Sequence, residues 1–525
     1  MKTGFQALKD WWKSHCHAIV CGLLGLVLLA QFAQVISYVS LNADHMAIVA
    51  SGNDDAGWGV RKAMQTRWWK DNGWAHYGPL YFRLAHSLQY FNHDVAHDGP
   101  MTELESFEET AHFTIMTLSV ISLFGVAFVL SCLLTSFWPA RLVLTSAFVA
   151  AFAVNQYYAR YLLVAHPDHM FALFCLAAGL CTMAWLTRPT DLNFAGMGTL
   201  WGLATLVKIS TSLFTLGFLS LLFPPFNKAG LKRLGAFIGF VALGYFVLGL
   251  PQTIAPADRP IRFLLQESGV STTSDFANLV RWAGVWWEEV WRPLAVLVSA
   301  WLVLPGANEA KFSWRAVFRM TVFWLLAMAG VMSRKTFAPS EHYLMPLNAI
   351  FLLLCIAALL HVRLPAWKWP VARTFAFLLV PMTIHWQFPA TLQTELQKQR
   401  ECRPESREIY HAIQEQIAAG RKVWVDPYVP FDPLSMSQGG DVEWEKTLAG
   451  LHGFAALALS HHYYQGNYLD GDQPAEYARR SNVQWKATRE FYALFGPGQD
   501  VALPDGSRYH LQLKNACGFE LWLKE

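Results

Sequence analysis

The stretch FAGMGTLWGLATLVKISTSLFTLGFLSLLF (194–223) decides how this chain folds, because it is apolar throughout except for one charge, Lys208. A single α-helix of this length would extend roughly 45 Å, whereas the hydrocarbon core of a bilayer is about 30 Å thick. An ammonium group near the bilayer centre would cost roughly 2.5–3.5 kcal/mol or more. The stretch therefore predicts two short helices with Lys208 at the turn between them.

The composition of the whole chain agrees with a membrane location. Of its 525 residues, 54% are hydrophobic and 15% are charged, whereas soluble globular proteins have about 45–50% apolar and about 25% charged residues. We therefore predict a polytopic membrane protein whose partners include membrane lipids. The net charge of +3 is too small to indicate a nucleic-acid partner, and no nucleic-acid-binding motif is present.

Eleven apolar runs predict membrane-spanning helices, since lipid offers the backbone no other hydrogen-bonding partner. The first run follows a short basic segment and is longer than a signal-peptide core, which has about 7–15 apolar residues. It is expected to stay uncleaved, with its start in the cytoplasm. The predicted fold class is mainly α, with spans at 17–41, 111–136, 141–157, 169–186, 194–207, 209–223, 234–250, 291–304, 317–332, 343–360 and 371–388.

The distribution of lysine and arginine supports this topology. With Lys208 in an outer turn, the cytoplasmic segments carry about twice as many basic residues as the short outer loops, as the positive-inside rule expects. If 194–223 were one span, the basic clusters after it would lie outside the cytoplasm, against the positive-inside rule. The topology also places six polar residues on the extracytoplasmic side: Asp54, Asp55, Asp168, Lys208, Arg334 and Lys335.

The composition becomes polar after about residue 390, which indicates a second domain. We divide the chain into a transmembrane domain, 1–389, and a soluble C-terminal domain, 390–525. An odd number of spans places the soluble domain outside the cytoplasm. Residues 405–419 read as an amphipathic helix and residues 422–425 as a strand, so a mixed α/β fold is predicted.

Most of the eight cysteines lie in or beside the predicted spans, where they act as small apolar residues. Cys402 and Cys517 instead bracket the C-terminal domain. In an oxidising periplasm these two residues would form one disulfide, and two free thiols are the alternative.

The first outer loop, 42–110, contains the adjacent carboxylates Asp54 and Asp55 just outside the first span. Such a pair suits an enzyme that deprotonates or orients an acceptor hydroxyl at the bilayer surface, although most acidic pairs in loops are simply solvated. Neighbouring side chains point in different directions, so one of the two is expected to reach the reacting centre. We favour Asp55 as the base, because an Asx turn or N-cap before the helix-like segment 57–70 fits Asp54 equally well.

Several short motifs together resemble the GT-C superfamily of membrane glycosyltransferases. The resemblance is to the branch that contains protein O-mannosyltransferases and the aminoarabinose transferases that act on lipid A, and it covers roughly residues 15–390. The motifs that carry it are Asp54-Asp55, Tyr77-Gly78-Pro79-Leu80-Tyr81, Ala159-Arg160, His166-Pro167-Asp168, Gly202-Leu203-Ala204-Thr205-Leu206-Val207-Lys208 and Glu341-His342-Tyr343-Leu344-Met345-Pro346.

This resemblance implies sugar transfer from a polyprenyl-phosphate donor to an acceptor on the outer face of the membrane. It also implies that the acidic pair of the first outer loop falls on Asp54 and Asp55. The chain departs from the aminoarabinose transferases at Tyr77-Gly78-Pro79-Leu80, where those enzymes tend to have a Lys-Pro-Pro-Leu-like sequence. A lysine contact is therefore missing, and the same donor cannot be assumed.

The chemistry of the reaction suggests a role for each outer polar residue. Asp168 follows Pro167 and is either a helix cap or a further carboxylate near the acceptor or a metal. Lys208 is the candidate ligand of the donor phosphate, with Arg334 and Lys335 beside it, although the latter two also suit the interfacial anchoring of a helix end. Second-rank candidates for substrate binding are Arg61, His76, Tyr77, Arg160, His342 and Tyr343. Lone His and Tyr residues at interfaces are more often anchors than ligands.

No cofactor is required by the sequence, and the identity of any metal site is unknown. His93 and His97 have the i, i+4 spacing of a helical metal pair, so a divalent metal is possible, but no third ligand is placed. Nothing resembles a P-loop, a dinucleotide fingerprint or a serine nucleophile elbow.

The sequence therefore predicts an integral-membrane glycosyltransferase of the bacterial inner membrane that acts on a lipid or glycan acceptor. The alternatives are a secondary transporter and a non-catalytic membrane protein that binds lipid-linked glycans. A transporter would be expected to show inverted repeats and ionisable groups near the bilayer midplane. No repeat is found in the sequence, and the charged candidates fall on one predicted face.

Overall fold

A computed structural model of the chain describes two groups of elements, one helical and one containing a sheet. The described residues are 121–134, 167–208, 228–247, 312–334, 344–361, 407–425, 453–460, 500–503 and 506–525, with isolated positions between them. The statements below concern these residues.

Six helices fall on predicted spans. They are α1 (Ile121–Leu134), α2 (Asp168–Thr187), α3 (Asp191–Val207), α4 (Lys228–Val247), α5 (Trp314–Arg334) and α6 (Met345–Leu359). By length and composition, Asp168–Thr187 and Ala229–Phe246 are able to cross a membrane, whereas Ile121–Leu133 and Met345–Leu359 are apolar but shorter. The predicted total of eleven spans is not confirmed, because the remaining runs lie wholly or mostly outside the described residues.

A short turn joins α2 to α3. Arg188 leaves the helical conformation before Pro189, and a residue that precedes proline is biased towards extended conformations. Thr190 then caps α3, because its side-chain oxygen accepts a hydrogen bond from the backbone N–H of Asn193 at 3.2 Å. The two helices therefore form an antiparallel hairpin.

The far end of α3 confirms one prediction from the sequence. The helix ends at Val207, and Lys208 follows in an extended conformation with φ −143° and ψ 114°. The apolar stretch 194–223 is therefore interrupted at Lys208, as its length predicted. The second predicted helix of that stretch, 209–223, lies beyond the described residues.

Helix α2 occupies the centre of the helical group and packs against α1, α3, α5 and α6. The backbone N–H of Ser313, just before α5, donates to the hydroxyl of Thr187 at the end of α2 at 3.0 Å. At the same end, Trp314 stacks on His361 with ring centroids 4.4 Å apart. Helices α2 and α6 therefore begin at the opposite end of the group from the start of α5.

The C-terminal elements confirm a mixed α/β composition. A helix at 407–418 precedes five strands: β1 (Val423–Val425), β2 (Ala456–Ser460), β3 (Asp500–Ala502), β4 (Arg508–Lys514) and β5 (Phe519–Lys524). They form one sheet in the order β1-β2-β5-β4-β3, in which β1 and β2 are parallel and the other neighbours are antiparallel. The predicted helix and strand at the start of this region are thus both present.

Cys517 is disulfide-bonded, which rules out the alternative of two free thiols for Cys402 and Cys517. Its bonding partner lies outside the described residues, as does Cys402. The free cysteines of the described part are Cys132, Cys175, Cys181 and Cys355.

Candidate active site

The central feature of the candidate site is a buried ion pair between the start of α2 and the end of α3. The ammonium Nζ of Lys208 donates to Oδ1 of Asp168 at 2.6 Å. The side chains of Lys208 and Asp168 are 3% and 0% exposed, respectively. The two residues are forty positions apart in sequence, and the antiparallel hairpin of α2 and α3 brings them together.

An aromatic ring completes the surroundings of Lys208. Its Nζ lies 5.8 Å from the centroid of Phe171, which is one turn after Asp168 on α2. A cation within about 6 Å of a ring centroid is attracted by the negative face of the ring. Helix α2 thus presents a carboxylate and an aromatic face to the same ammonium group.

The position of Asp168 excludes one of its two predicted roles, that of a helix cap. The N-cap of α2 is Pro167, which makes no side-chain hydrogen bond, and Asp168 is the first residue inside the helix. Asp168 is therefore not the N-cap residue. Its negative charge still lies in the first turn, where the helix dipole is favourable to anions.

Burial makes this pair sensitive to the loss of either member. Removing one partner from a buried salt bridge typically costs about 3–5 kcal/mol, because the remaining charge is left without compensation in a poorly solvated site. Chemically, the pair places the Lys208 ammonium at the end of α3, and the Asp168 carboxylate balances the charge of that ammonium. An incoming phosphate would offer Lys208 a second anionic partner of the kind that lysine binds as a point charge.

Helix lengths place Arg334 at the same end of the helical group. At 1.5 Å per residue, α2 carries Asp168 roughly 29 Å from Thr187, and α3 carries Lys208 roughly 25 Å from the turn beside Thr187. Helix α5 starts next to Thr187 and reaches Arg334 after roughly 31 Å. From helix length alone, with the axes taken as parallel, we expect the backbone of Arg334 at a similar height to the ion pair.

The structure thus brings together two of the predicted site residues, Asp168 and Lys208. The other candidates lie outside the described residues: Asp54, Asp55, Arg61, His76, Tyr77, Arg160, Lys335, His342 and Tyr343, together with His93 and His97. Among the residues that the structure does describe, no group of three or more His, Cys, Asp or Glu side chains is arranged to hold a metal ion.

Sequence reasoning missed one residue of this site. The ring centroid of Phe171 lies 5.8 Å from Nζ of Lys208. The spacing of Phe171 from Asp168 was an available signal, since residues i and i+3 share a helix face.

Comparison with known proteins gives a match in structure alone. No family model matches the chain, and no curated protein does. Among solved structures, ArnT from Cupriavidus metallidurans in the apo state has a TM-score of 0.51 and 13% identity, covering 95% of this chain and 97% of ArnT. The chain has the fold of ArnT.

The same likeness holds for ArnT bound to undecaprenyl phosphate, with a TM-score of 0.50 and the same identity and coverage. At 13% identity this likeness concerns the fold alone, and at that level it agrees with the resemblance inferred above from short motifs. Because both chains are covered almost completely, the match to ArnT includes the C-terminal region as well as the helices.

Proposed function

We propose that this protein is a GT-C glycosyltransferase that moves a sugar from a polyprenyl-phosphate donor to a hydroxyl of a lipid or glycan acceptor. The observation that carries the proposal is the buried Lys208–Asp168 pair, at 2.6 Å, in a chain with the ArnT fold. A buried cation at the end of a membrane helix costs free energy, and residues of this kind commonly mark substrate paths. The undecaprenyl phosphate bound to ArnT supports a lipid phosphate as the donor's leaving group.

In the proposed reaction, the acceptor hydroxyl gives its proton to the carboxylate of Asp55, and Asp54 orients the acceptor. The hydroxyl oxygen forms a bond to the anomeric carbon while the bond from that carbon to the phosphate oxygen breaks. Polyprenyl phosphate leaves with the bonding electron pair, and attack from the opposite face inverts the anomeric configuration. Base catalysis of this kind contributes about 10²–10⁴-fold to the rate.

Lys208, with Arg334 and Lys335, would stabilise the charge that develops on the departing phosphate. The pairing with Asp168 gives Lys208 a further property. In the absence of donor, the Asp168 carboxylate balances the charge of the Lys208 ammonium. Asp168 and Phe171, one turn apart on α2, both attract this ammonium and hold it against α2. When the donor phosphate arrives, Lys208 would share its three N–H donors between Asp168 and a phosphate oxygen. The role proposed for Asp168 is thus to orient Lys208.

The proposed location is the bacterial inner membrane, with the site and the C-terminal domain on the periplasmic side. The bonded state of Cys517 supports this orientation, because disulfides persist in oxidising compartments and are rare in the cytosol. The distribution of basic residues around the spans supports the same orientation independently.

Purified full-length protein incubated with polyprenyl-phosphate sugars and a lipid A or glycan acceptor tests the proposal. We expect release of polyprenyl phosphate that depends on the acceptor, and we expect Asp55→Ala to abolish it with a smaller loss for Asp54→Ala. Full activity in both variants would remove the assigned base. Saturable binding of the donor without any release would instead identify a lipid-glycan binding protein, and transport of the donor across proteoliposomes would identify a transporter.

A further inference from the structure

The start of α5 carries two arginines whose charges are not balanced by any carboxylate of the described residues. Arg315 is exposed, and Arg319, one turn further along the helix, is partly exposed. Neither guanidinium group forms an ion pair or a hydrogen bond with a residue that the structure describes. Residues i and i+4 are neighbours on one side of a helix, so both guanidinium groups are able to reach the same ligand.

A third arginine, Arg188, lies at the end of α2, close to the start of α5. The hydroxyl of Thr187, the residue before it, accepts the hydrogen bond from the backbone N–H of Ser313 at 3.0 Å. Arg188 is exposed, and its guanidinium group likewise has no partner in the described part of the chain. Asp191, the carboxylate in the first turn of α3, pairs with none of the three arginines. Three uncompensated positive charges therefore gather at this end of the helical group.

An exposed apolar face of α5 extends from the level of these arginines towards the middle of the helix. Trp314, Phe318 and Leu325 are each more than half exposed. At about 100° per residue, these three side chains project within about 40° of one another. Leu326, also more than half exposed, projects in the same direction as the two arginines of α5 and lies roughly 10 Å beyond the second of them. Apolar surface thus lies directly beside the positive charges.

We propose that this surface, formed by Arg188, Arg315, Arg319 and the exposed apolar face of α5, binds an anionic phospholipid. The guanidinium groups bind the lipid phosphate, for which their planar geometry is suited. The acyl chains lie along Leu325 and Leu326. With the predicted topology, the lipid belongs to the cytoplasmic leaflet, where basic pockets between helices bind anionic headgroups. The inference does not rest on the proposed reaction, because none of these residues belongs to the candidate active site.

Two features favour a lipid over a soluble anion or an acidic protein. The apolar face runs for roughly 16 Å from Trp314 to Leu325, about half the thickness of the hydrocarbon core. In addition, the indole ring of Trp314 stacks on His361, which holds it at the level of the arginines, and tryptophan is enriched at this depth of a bilayer. A soluble anion would use the charges alone and leave the apolar face uncovered.

Helix α4 begins at the same end of the helical group as α3. The ring centroids of Phe194, in the first turn of α3, and Phe237 of α4 lie 6.4 Å apart. Further along both helices, a Cβ built at Gly202 would lie 2.8 Å from the backbone nitrogen of Tyr245. These contacts follow the same order along both helices, so α3 and α4 run parallel. The basic residues at the start of α4 therefore lie at the same end as the proposed lipid site.

These basic residues supply a matched control. Lys232 and Arg233 are both exposed. Because they are neighbours in sequence, they project about 100° apart and do not share one side of the helix. Lys232→Gln with Arg233→Gln, the α4 variant, therefore removes two positive charges from this end without changing the proposed surface. The α5 variant, Arg315→Gln with Arg319→Gln, removes the same net charge from that surface.

The test measures how added ligands change the apparent Tm of the purified full-length protein in detergent. The lipid probes are phosphatidylglycerol, which is anionic, and phosphatidylcholine, which is zwitterionic. The probes without acyl chains are glycerol phosphate and a tetraglutamate peptide. We expect saturating phosphatidylglycerol to raise Tm by at least about 3 °C more than phosphatidylcholine does. The α5 variant should lose more than half of this difference, whereas the α4 variant should keep it.

An equal rise of Tm in the α5 and α4 variants would overturn the proposal, because the effect would then follow net charge alone. An equal rise with both lipids would also overturn it, since the surface would then select hydrocarbon only. A rise of the same size with glycerol phosphate or tetraglutamate would identify a site for a soluble anion or an acidic protein instead.

Native mass spectrometry gives a second readout of the same site. At equal lipid concentration, phosphatidylglycerol should stay bound to the native chain and the α4 variant, and its bound fraction should fall at least several-fold in the α5 variant. Equal retention in both variants would contradict the assignment. If the α5 variant does not fold, the exposed Arg188→Gln takes its place, and it should retain less phosphatidylglycerol than the α4 variant despite losing one charge fewer.

Discussion

Separating the structural role of the Lys208–Asp168 pair from its proposed catalytic role requires variants that remove one charge and variants that remove both. Lys208→Met leaves the Asp168 carboxylate at 0% exposure with its ammonium partner gone. Loss of one member of a buried pair costs about 3–5 kcal/mol. We therefore expect the apparent Tm of the single variant to fall by at least about 5 °C in a thermal-shift measurement.

The double variant Lys208→Met with Asp168→Leu removes both charges. Replacing a buried pair by hydrophobic residues of similar volume is often close to neutral in stability. We therefore expect the double variant to regain most of the lost Tm. Its release of polyprenyl phosphate should nevertheless remain at least about tenfold below that of the native chain, because the cation that stabilises the leaving group is still missing.

Asp191→Asn is the control, since Asp191 is an exposed carboxylate in the first turn of α3, at the opposite end of that helix. Its effect should stay below about 1 kcal/mol. A change of less than 1 °C in Lys208→Met would refute the burial argument. Recovery of both stability and turnover in the double variant would show that the pair only holds α2 and α3 together.

Two further predictions concern other parts of the chain. The side chain of Asn515 donates to the carbonyl of Glu405 at 3.0 Å, so the turn before Cys517 lies close to Glu405, three residues after Cys402 in sequence. We therefore expect Cys402→Ser to expose a titratable thiol at Cys517. If the Cys517 thiol stays blocked in this variant, its disulfide partner is another cysteine. The indole N–H of Trp324 donates to the carbonyl of Leu347 at 2.9 Å, so Trp324→Phe should lower the free energy of unfolding by about 1 kcal/mol or more. Trp314 is 57% exposed, so Trp314→Phe should lower it less. Equal Tm values for the two variants would contradict this prediction.

Much of the helical architecture could be predicted from the sequence, because membrane burial imposes simple limits on length and charge. The interruption at Lys208 followed from the excess length of 194–223 and the cost of an ammonium in lipid, and α3 does end at Val207. The start of α2 was predicted to within one residue of Asp168. In the C-terminal region, the strand Val423–Val425 was predicted, whereas β2 to β5 were not, since their pairing joins segments that are distant along the chain.

The sequence also predicted, from counting spans, that Asp168 and Lys208 lie on one face of the membrane. Only the tertiary structure decided that they bind each other. Two helix ends on the same side of a bilayer can be many ångströms apart, and the rotation of each helix about its axis decides which side chains meet. That rotation depends on how whole helices pack, as where α2 packs against α1, α3, α5 and α6, and the spacing of residues along the chain does not encode it.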